Sequence, residues 1–389
     1  MSAPDQLGSA AESVAKALPV LRQEAAAADE HARFPAASLQ ALREQGLLGL
    51  TVPVEYGGAG ESLTTFVTVA QELAGACLSS AQIWAMHCFQ VDAIARYGTQ
   101  ELRDTLLPRI AAGDVYIASV TSERGRGASL FSANAALRLA GDHLLLERTA
   151  PVCTGGAHAD GYLITMRNAE DATAHEVTLV YADRHDLAVT ASGDWNPLGM
   201  RATESIGLTL SGRVPPQNVV GEAGAFAAIA RESMIPISHL GWSACWLGTA
   251  RGALQELIAW LRQSGPSEHG DLFYERLAHV RVDLELVSSY LASVTEHVVR
   301  ARAEGRSLAE PRLQLKLNTL KLIASEHTFR AVDRMIQLAG LRIGYMKDSP
   351  IALERHLRDL RSAALNHAND GLWVGVGALT LLDRAVDLA

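Results

Sequence analysis

The sequence holds only four cysteines, Cys77, Cys88, Cys153 and Cys245, and no CxxC pair joins any two of them. That scatter excludes a disulfide framework and a thiolate zinc site, and no metal is expected. The four thiols read as small buried apolar groups. The most apolar stretch, 235–260, is interrupted by Ser238, His239, Arg251 and Glu256. It falls short of the roughly 18 uncharged residues that a membrane span needs. The N-terminal segment carries Asp5 and Glu12 and lacks the apolar core of a secretory signal, so a cytoplasmic protein is expected. Positive charge is not in excess either. A formal net charge of -9 opposes attraction to a phosphate backbone, and nucleic acid is not an expected partner.

What is present is the composition of an ordinary globular chain: 389 residues, 48% hydrophobic and 20% charged, with no long low-complexity tract. That length allows two or three packed regions. From Glu12 to about Leu107 apolar residues recur at helical spacing, as in Leu39, Leu42 and Leu47 and later Ile83, Met86, Val91 and Ile94. The segment Val52-Pro53-Val54-Glu55-Tyr56-Gly57-Gly58 breaks this pattern and reads as a loop. Short β-prone runs follow at 115–121, 144–147, 162–166, 177–181 and 205–210, separated by Gly, Asn and Asp. Helical spacing then returns over 235–261, 273–304, 313–339 and 353–388, with Pro266, Pro311 and Pro350 in the joints. The chain is therefore expected to be mainly α with a central β-domain: a helical domain over 1–115, a β-domain over 116–225 and an antiparallel four-helix bundle over 226–389.

Several short motifs, in register over nearly the whole length, resemble the acyl-CoA dehydrogenase superfamily. Gly46-Leu47-Leu48-Gly49-Leu50, then Pro53 and Tyr56-Gly57-Gly58, resembles its opening, and Tyr97-Gly98-Thr99 its "YGT" turn. Ser122-Glu123-Arg124-Gly125-Arg126-Gly127 resembles its "TEPGAG" loop, and Gly199-Met200-Arg201 with Val214-Pro215 and Gly221-Glu222 its "LGMR…VP…GE" segment. Ala324-Ser325-Glu326 leading to Gln337 and Gly340, then Leu353-Glu354-Arg355 and Arg358-Asp359, resembles its "ASE…Q..GG" and "LERxxRD". The resemblance implies a helical domain, a middle β-barrel and a four-helix bundle, with FAD as cofactor. It implies flavin contacts at Thr121, Ser122, Gly127, Ala128, Val152, Cys153, Thr154 and Asn369, and at Gln337 and Gly340 toward a neighbouring subunit's FAD. Glycine in the 122–127 loop would let backbone N–H groups approach the flavin ring. From the residues alone the same loop also reads as a plain hairpin turn.

In the family a glutamate removes the substrate α-proton while the flavin takes a hydride. Eight residues beyond Asp359, where that glutamate usually stands, this chain has His367 in Asn366-His367-Ala368-Asn369. At the other family position, on the first bundle helix, it has Ser238 beside His239. Pro151 stands at the tryptophan of the "WITN" segment, Ala128 at a serine that holds the thioester arm, and Ser264, Ser267 and Glu268 on the "RxxFG" motif. His367 is the first catalytic candidate, as base or as hydrogen-bond donor. His87, on a helix bordering the cleft in the family, is the second, although a lone histidine on an apolar helix is more often a hydrogen-bonded core residue. Asp370 would share a face with His367 if that segment is helical. Ser238, His239 and Trp242 are candidate substrate contacts.

Three activities follow from the resemblance. The family default is desaturation of an acyl thioester, on CoA or a carrier protein, with an electron-accepting flavoprotein as partner. The alternative is a flavin monooxygenase of the same fold, using reduced FMN or FAD supplied by a flavin reductase. The third is a redox-inactive binding module. A homodimer or homotetramer is expected, because family members bind FAD at a subunit interface.

Overall fold

The structure, a computed structural model, describes residues 9–123, 130–264, 269–386 and 388. Ser and Thr side chains set the helix starts of the N-terminal region, each accepting a backbone N–H of the first turn. Ser9 caps α1 (Ala10–His31) through Glu12 N; α2 (Ala36–Glu44) follows after Pro35. Ser62 caps α3 (Leu63–Ala76) through Thr65 N. α4 (Leu78–Tyr97) is buried on nearly every side, and Thr99 caps α5 (Gln100–Ala111) through Leu102 N. The 52–58 segment is a loop as expected, with a single 3-10 turn at Val54–Tyr56 and Gly57 at φ +83°.

Among the described residues, eight strands then form two four-stranded sheets. One has the order β1 (Ile117–Val120), β4 (Gly161–Arg167), β5 (Val177–Asp183), β8 (Val219–Val220); the other β2 (Arg138–Ala140), β3 (His143–Ala150), β7 (Gly207–Val214), β6 (Leu187–Ser192). β1 pairs parallel to β4 and every other pair is antiparallel, with Leu163 opposite Tyr181 and Leu146 opposite Gly212. Leu146, Leu208 and Leu210 of one sheet and Tyr162, Ile164 and Val180 of the other belong to a single buried core. β2, β6 and β8 escape the sequence reading because they are short or largely exposed.

After the short helix α6 (Phe226–Ile229), the bundle comprises α7 (Ile235–Gln263), α8 (Asp271–Ala303) and α9 (Pro311–Gly340). α7 is apolar nearly all round because it lies between α3, α4 and α9. Close approach to α3 requires glycine: a Cβ on Gly248 would collide with the Gln71 carbonyl. The expected fourth long helix over 353–388 is corrected. It is two helices, α10 (Leu353–Arg361) and α11 (Asn369–Thr380), separated by a turn segment at 362–368.

α10 is tied to the β-domain by a buried carboxylate, Asp359, whose Oδ1 accepts the Met200 N–H at 2.6 Å. Burial raises the Asp359 pKa to about 6, against the lowering effect of the Met200 N–H. Its folded pKa exceeds its unfolded one, so the native state binds the extra proton between about pH 4 and pH 6 and loses stability as pH rises through that window. Asp359→Asn keeps an oxygen for Met200 and removes the ionisation. It is expected to raise stability by about 3 kcal/mol at pH 7.5 and to match the wild type near pH 4, as read from Tm at the two pH values.

Candidate functional site

β1 and β3 end side by side, and the residues that follow them form one wall of a cavity of about 440 Å³: Thr121, Ser122 and Glu123 after β1, Pro151 and Val152 after β3. Ser122 Oγ donates to Val152 O at 2.7 Å and laces the two segments together. Glu123 is fully engaged. Its carboxylate accepts the N–H groups of Asn134 at 2.7 Å and Ala135 at 2.9 Å, and lies 2.8 Å from the guanidinium of the completely buried Arg148. Arg148 also donates to Ser122 O at 3.1 Å, so one buried cation fixes the wall from behind.

The opposite wall comes from the start of α7. Ile235, Ser238, His239 and Trp242 follow an i, i+3, i+4, i+7 pattern and line the cavity together. Ser238 donates its hydroxyl to Ile235 O at 3.0 Å. His239 is 1% exposed, with Nδ1 3.2 Å from Leu317 O, and burial holds its pKa down to about 3, helped by the charges of His367 and Lys321. Trp242 Nε1 is buried with no hydrogen-bond partner among the described residues.

His367 closes the cavity from the break between α10 and α11, its ring 6.0 Å from that of His239. The break has a physical cause. Lys321 of α9, itself completely buried, donates to Ala363 O at 3.1 Å, His367 O at 2.9 Å and Asn369 Oδ1 at 2.6 Å. These bonds turn the chain out of its helix and leave His367 at φ +51°, the left-handed region that a non-glycine residue rarely occupies. His367 is exposed at the cavity rim, and partial desolvation, then the Lys321 charge, lowers its pKa below the ordinary value. Lys321 was not singled out from sequence. The only signal for it is a lysine at a core position of an apolar helix stripe.

The other candidates fall elsewhere. His87 is completely buried away from the cavity lining, with Nε2 donating to Leu48 O at 3.0 Å and Nδ1 accepting the Ile117 N–H at 3.1 Å. Both nitrogens hold backbone groups, burial lowers its pKa to about 4, and His87 does not line the cavity. Asp370 does not share a face with His367, because His367 precedes α11; Asp370 is exposed in that helix's first turn. Asn369 is buried and serves the turn, accepting from Lys321 and donating to Ser325 Oγ and Glu326. Cys153 is buried behind the wall, its pKa pushed up to about 12, and Thr154 bonds Ser205; neither lines the cavity. Gln337 and Gly340 sit on the exposed end of α9, Gly340 at φ +73° with open space where a Cβ would be. Gly127, Ala128, Ser267 and Glu268 lie outside the described residues. No group of three or more metal-ligating side chains occurs among the described residues, and no helix there is long and apolar enough to cross a membrane.

The cavity also fits a flavin ring. Its walls are mainly apolar at Leu130, Pro151, Val152 and Ile235, and the orphaned Trp242 N–H would meet the polar edge of a planar heterocycle. A helical domain, two sheets and a helical bundle meeting at such a cavity define a class of protein, and the comparisons place the chain within it. The model of the acyl-CoA dehydrogenase N-terminal domain matches residues 9–114, and that of the acyl-CoA dehydrogenase C-terminal domain matches residues 230–366. The chain belongs to the acyl-CoA dehydrogenase family of flavin-dependent oxidoreductases. Among curated relatives, the mitochondrial isobutyryl-CoA dehydrogenase of Dictyostelium discoideum is 24% identical, over 88% of this chain and 81% of its own. Among solved structures, FMN-bound TdsC from Paenibacillus sp. A11-2 superposes with a TM-score of 0.85 at 22% identity, covering 97% of this chain and 98% of that one. Butyryl-CoA dehydrogenase from Megasphaera elsdenii gives a TM-score of 0.83 at 18% identity, covering 98% and 99%.

Proposed function

We propose that this chain is a flavin-dependent monooxygenase acting on a small, mainly apolar substrate. One observation carries the reading: Ser238 and His367, at the two positions where the family resemblance would put its proton-abstracting glutamate, open on the same cavity, and neither is a carboxylate. The carboxylate that does line it, Glu123, is committed to two backbone N–H groups and Arg148. A histidine taking a proton from carbon must hold it as a cation. Partial desolvation and the Lys321 charge disfavour that cation even though His367 is exposed at the cavity rim, as its lowered pKa expresses. A neutral imidazole that orients a hydrogen bond suits oxygen transfer better.

In this reading Thr121, Ser122 and Val152 would edge the flavin, Trp242 would donate to it, and Ser238, His239 and His367 would face the substrate. A bound flavin, reduced by a partner reductase, would supply two electrons, with one atom of O₂ entering the substrate and the other leaving as water. Gln337 and Gly340 remain candidate contacts to the FAD of a second copy in a homodimer or homotetramer. Exposed Leu341, Tyr345, Trp373 and Val374 offer apolar surface for that assembly.

The second reading, desaturation of an acyl thioester with His367 as base, draws on the acyl-CoA dehydrogenases among the curated relatives. The two are separated by supplying reduced FMN or FAD and ¹⁸O₂ with indole and dibenzothiophene, and separately butyryl-CoA with an electron acceptor. TdsC is described as a dibenzothiophene monooxygenase and has been solved with indole, which motivates the first pair. Incorporation of ¹⁸O into an aromatic probe is the expected result. Reduction of the flavin by butyryl-CoA with no ¹⁸O product would establish desaturation instead, and a protein that neither retains nor uses flavin would be a binding module.

A further inference from the structure

We infer that His239 selects the substrate: its Nε2 is an unmatched acceptor facing the cavity, and it fits a compact, apolar-bodied molecule carrying an N–H or O–H donor. The inference deepens the oxygenation reading and rests on it for the chemistry after binding, but the binding itself stands on the geometry of α7 and α9.

The tautomer is set by the partner. Leu317 O can only accept, so His239 Nδ1, 3.2 Å away, carries the proton and Nε2 across the ring carries a lone pair. The buried ring stays neutral through the physiological range, so that lone pair is permanent. Nε2 has no hydrogen-bond partner among the described residues, although His239 is 1% exposed and lines the cavity. An acceptor open to the cavity takes a hydrogen bond from a ligand in place of water. The nearest hydroxyl, that of Ser238, already donates to Ile235 O.

The surroundings of the acceptor set the rest of the molecule. Trp242, its ring 6.3 Å from that of His239, and Ile235 give the neighbouring wall an apolar face suited to a flat or aliphatic body. A thioester carbonyl brings only lone pairs to this point, and two acceptors facing each other repel. The same histidine that welcomes an N–H therefore rejects an acyl thioester whose carbonyl lies against it.

Indole and benzothiophene test this directly. They share one bicyclic shape and differ in having N–H or sulfur at the same ring position. Binding is measured by calorimetry on the protein as purified and again after saturation with FAD. Indole is expected to bind about 10-fold more tightly than benzothiophene, and His239→Leu should bring the two within about 2-fold. Equal binding by the wild type would overturn the inference, as would a preference that survives His239→Leu. Should His239→Leu fail to fold, the wild-type ratio still decides, with His239→Phe as the second variant. Failure here is distinct from failure of the oxygenation reading. An indole preference without ¹⁸O product would sink only the latter, and ¹⁸O product without the preference would sink only this one.

Discussion

Replacing His367 with alanine is expected to slow ¹⁸O incorporation by about 10²- to 10⁴-fold, the range typical of a positioned proton-transfer or hydrogen-bonding side chain. Flavin content should stay near the wild-type level, because His367 is one of several residues around the cavity and lies on a segment held by Lys321 rather than by the ligand. The neutral ring is the working form, so the acidic limb of kcat/KM should lie below the ordinary histidine value, where burial and Lys321 place the pKa. His367→Glu separates the mechanisms. In an oxygenase, glutamate should fail to rescue the rate and should increase release of peroxide. In a desaturase it should restore much of the activity, because a carboxylate can hold the abstracted proton without adding a cation beside Lys321. Wild-type turnover in His367→Ala would remove this residue from the site.

The second large effect concerns Lys321→Met, which keeps the stem against Trp246, whose ring centre lies 5.6 Å from Nζ. Two energies oppose one another in the wild type. Burial penalises the ammonium and draws its pKa down to about 8, while three oxygen acceptors hold it in place. Methionine relieves the first and forfeits the second, so global stability should move little. The local consequence is large. Freed carbonyls at 363 and 367 release the turn, and a misplacement of about 1 Å in His367 costs on the order of 10²-fold in rate. Hydrogen exchange should rise at 362–369 with the rest of the bundle unchanged. The wild type should show an alkaline limb near pH 8, since a neutral amine has two N–H groups for three acceptors, and that limb should vanish in the variant. A variant with unchanged exchange and rate would show that the turn holds itself.

The comparison of His87 with His367 shows where sequence reasoning ends. Both are lone histidines near motifs of one family, and helical periodicity alone cannot rank them. His87 is disqualified by a pair of backbone groups, Leu48 O and Ile117 N–H, that lie 39 and 30 residues away. His367 is brought to the cavity by the turn at 362–368, drawn out of helix by a lysine more than 40 residues upstream. Ala363, Ala364 and Leu365 are strong helix formers, so local propensity predicts that the helix continues.

Local sequence determined the elements whose signal is written in single stripes: the helices α7, α8 and α9, the loop at 52–58, and the cores of β1, β3, β4, β5 and β7. α8 and α9 show helical spacing of their buried positions, whereas α7, β4 and β5 are continuous apolar runs and the loop is marked by Pro53 and Gly57. Local sequence also determined which residue types stand where the resemblance implies the family's carboxylate, because that reading needs only register. Tertiary structure alone decided that Ser238, His239 and His367 face one cavity, that Glu123 is consumed by Arg148 and two backbone N–H groups, and that the last helix breaks. Each of those outcomes is a contest between a local preference and a buried polar group from a distant segment. In the interior an unsatisfied carbonyl or charge outweighs the few tenths of a kcal/mol by which one backbone propensity exceeds another.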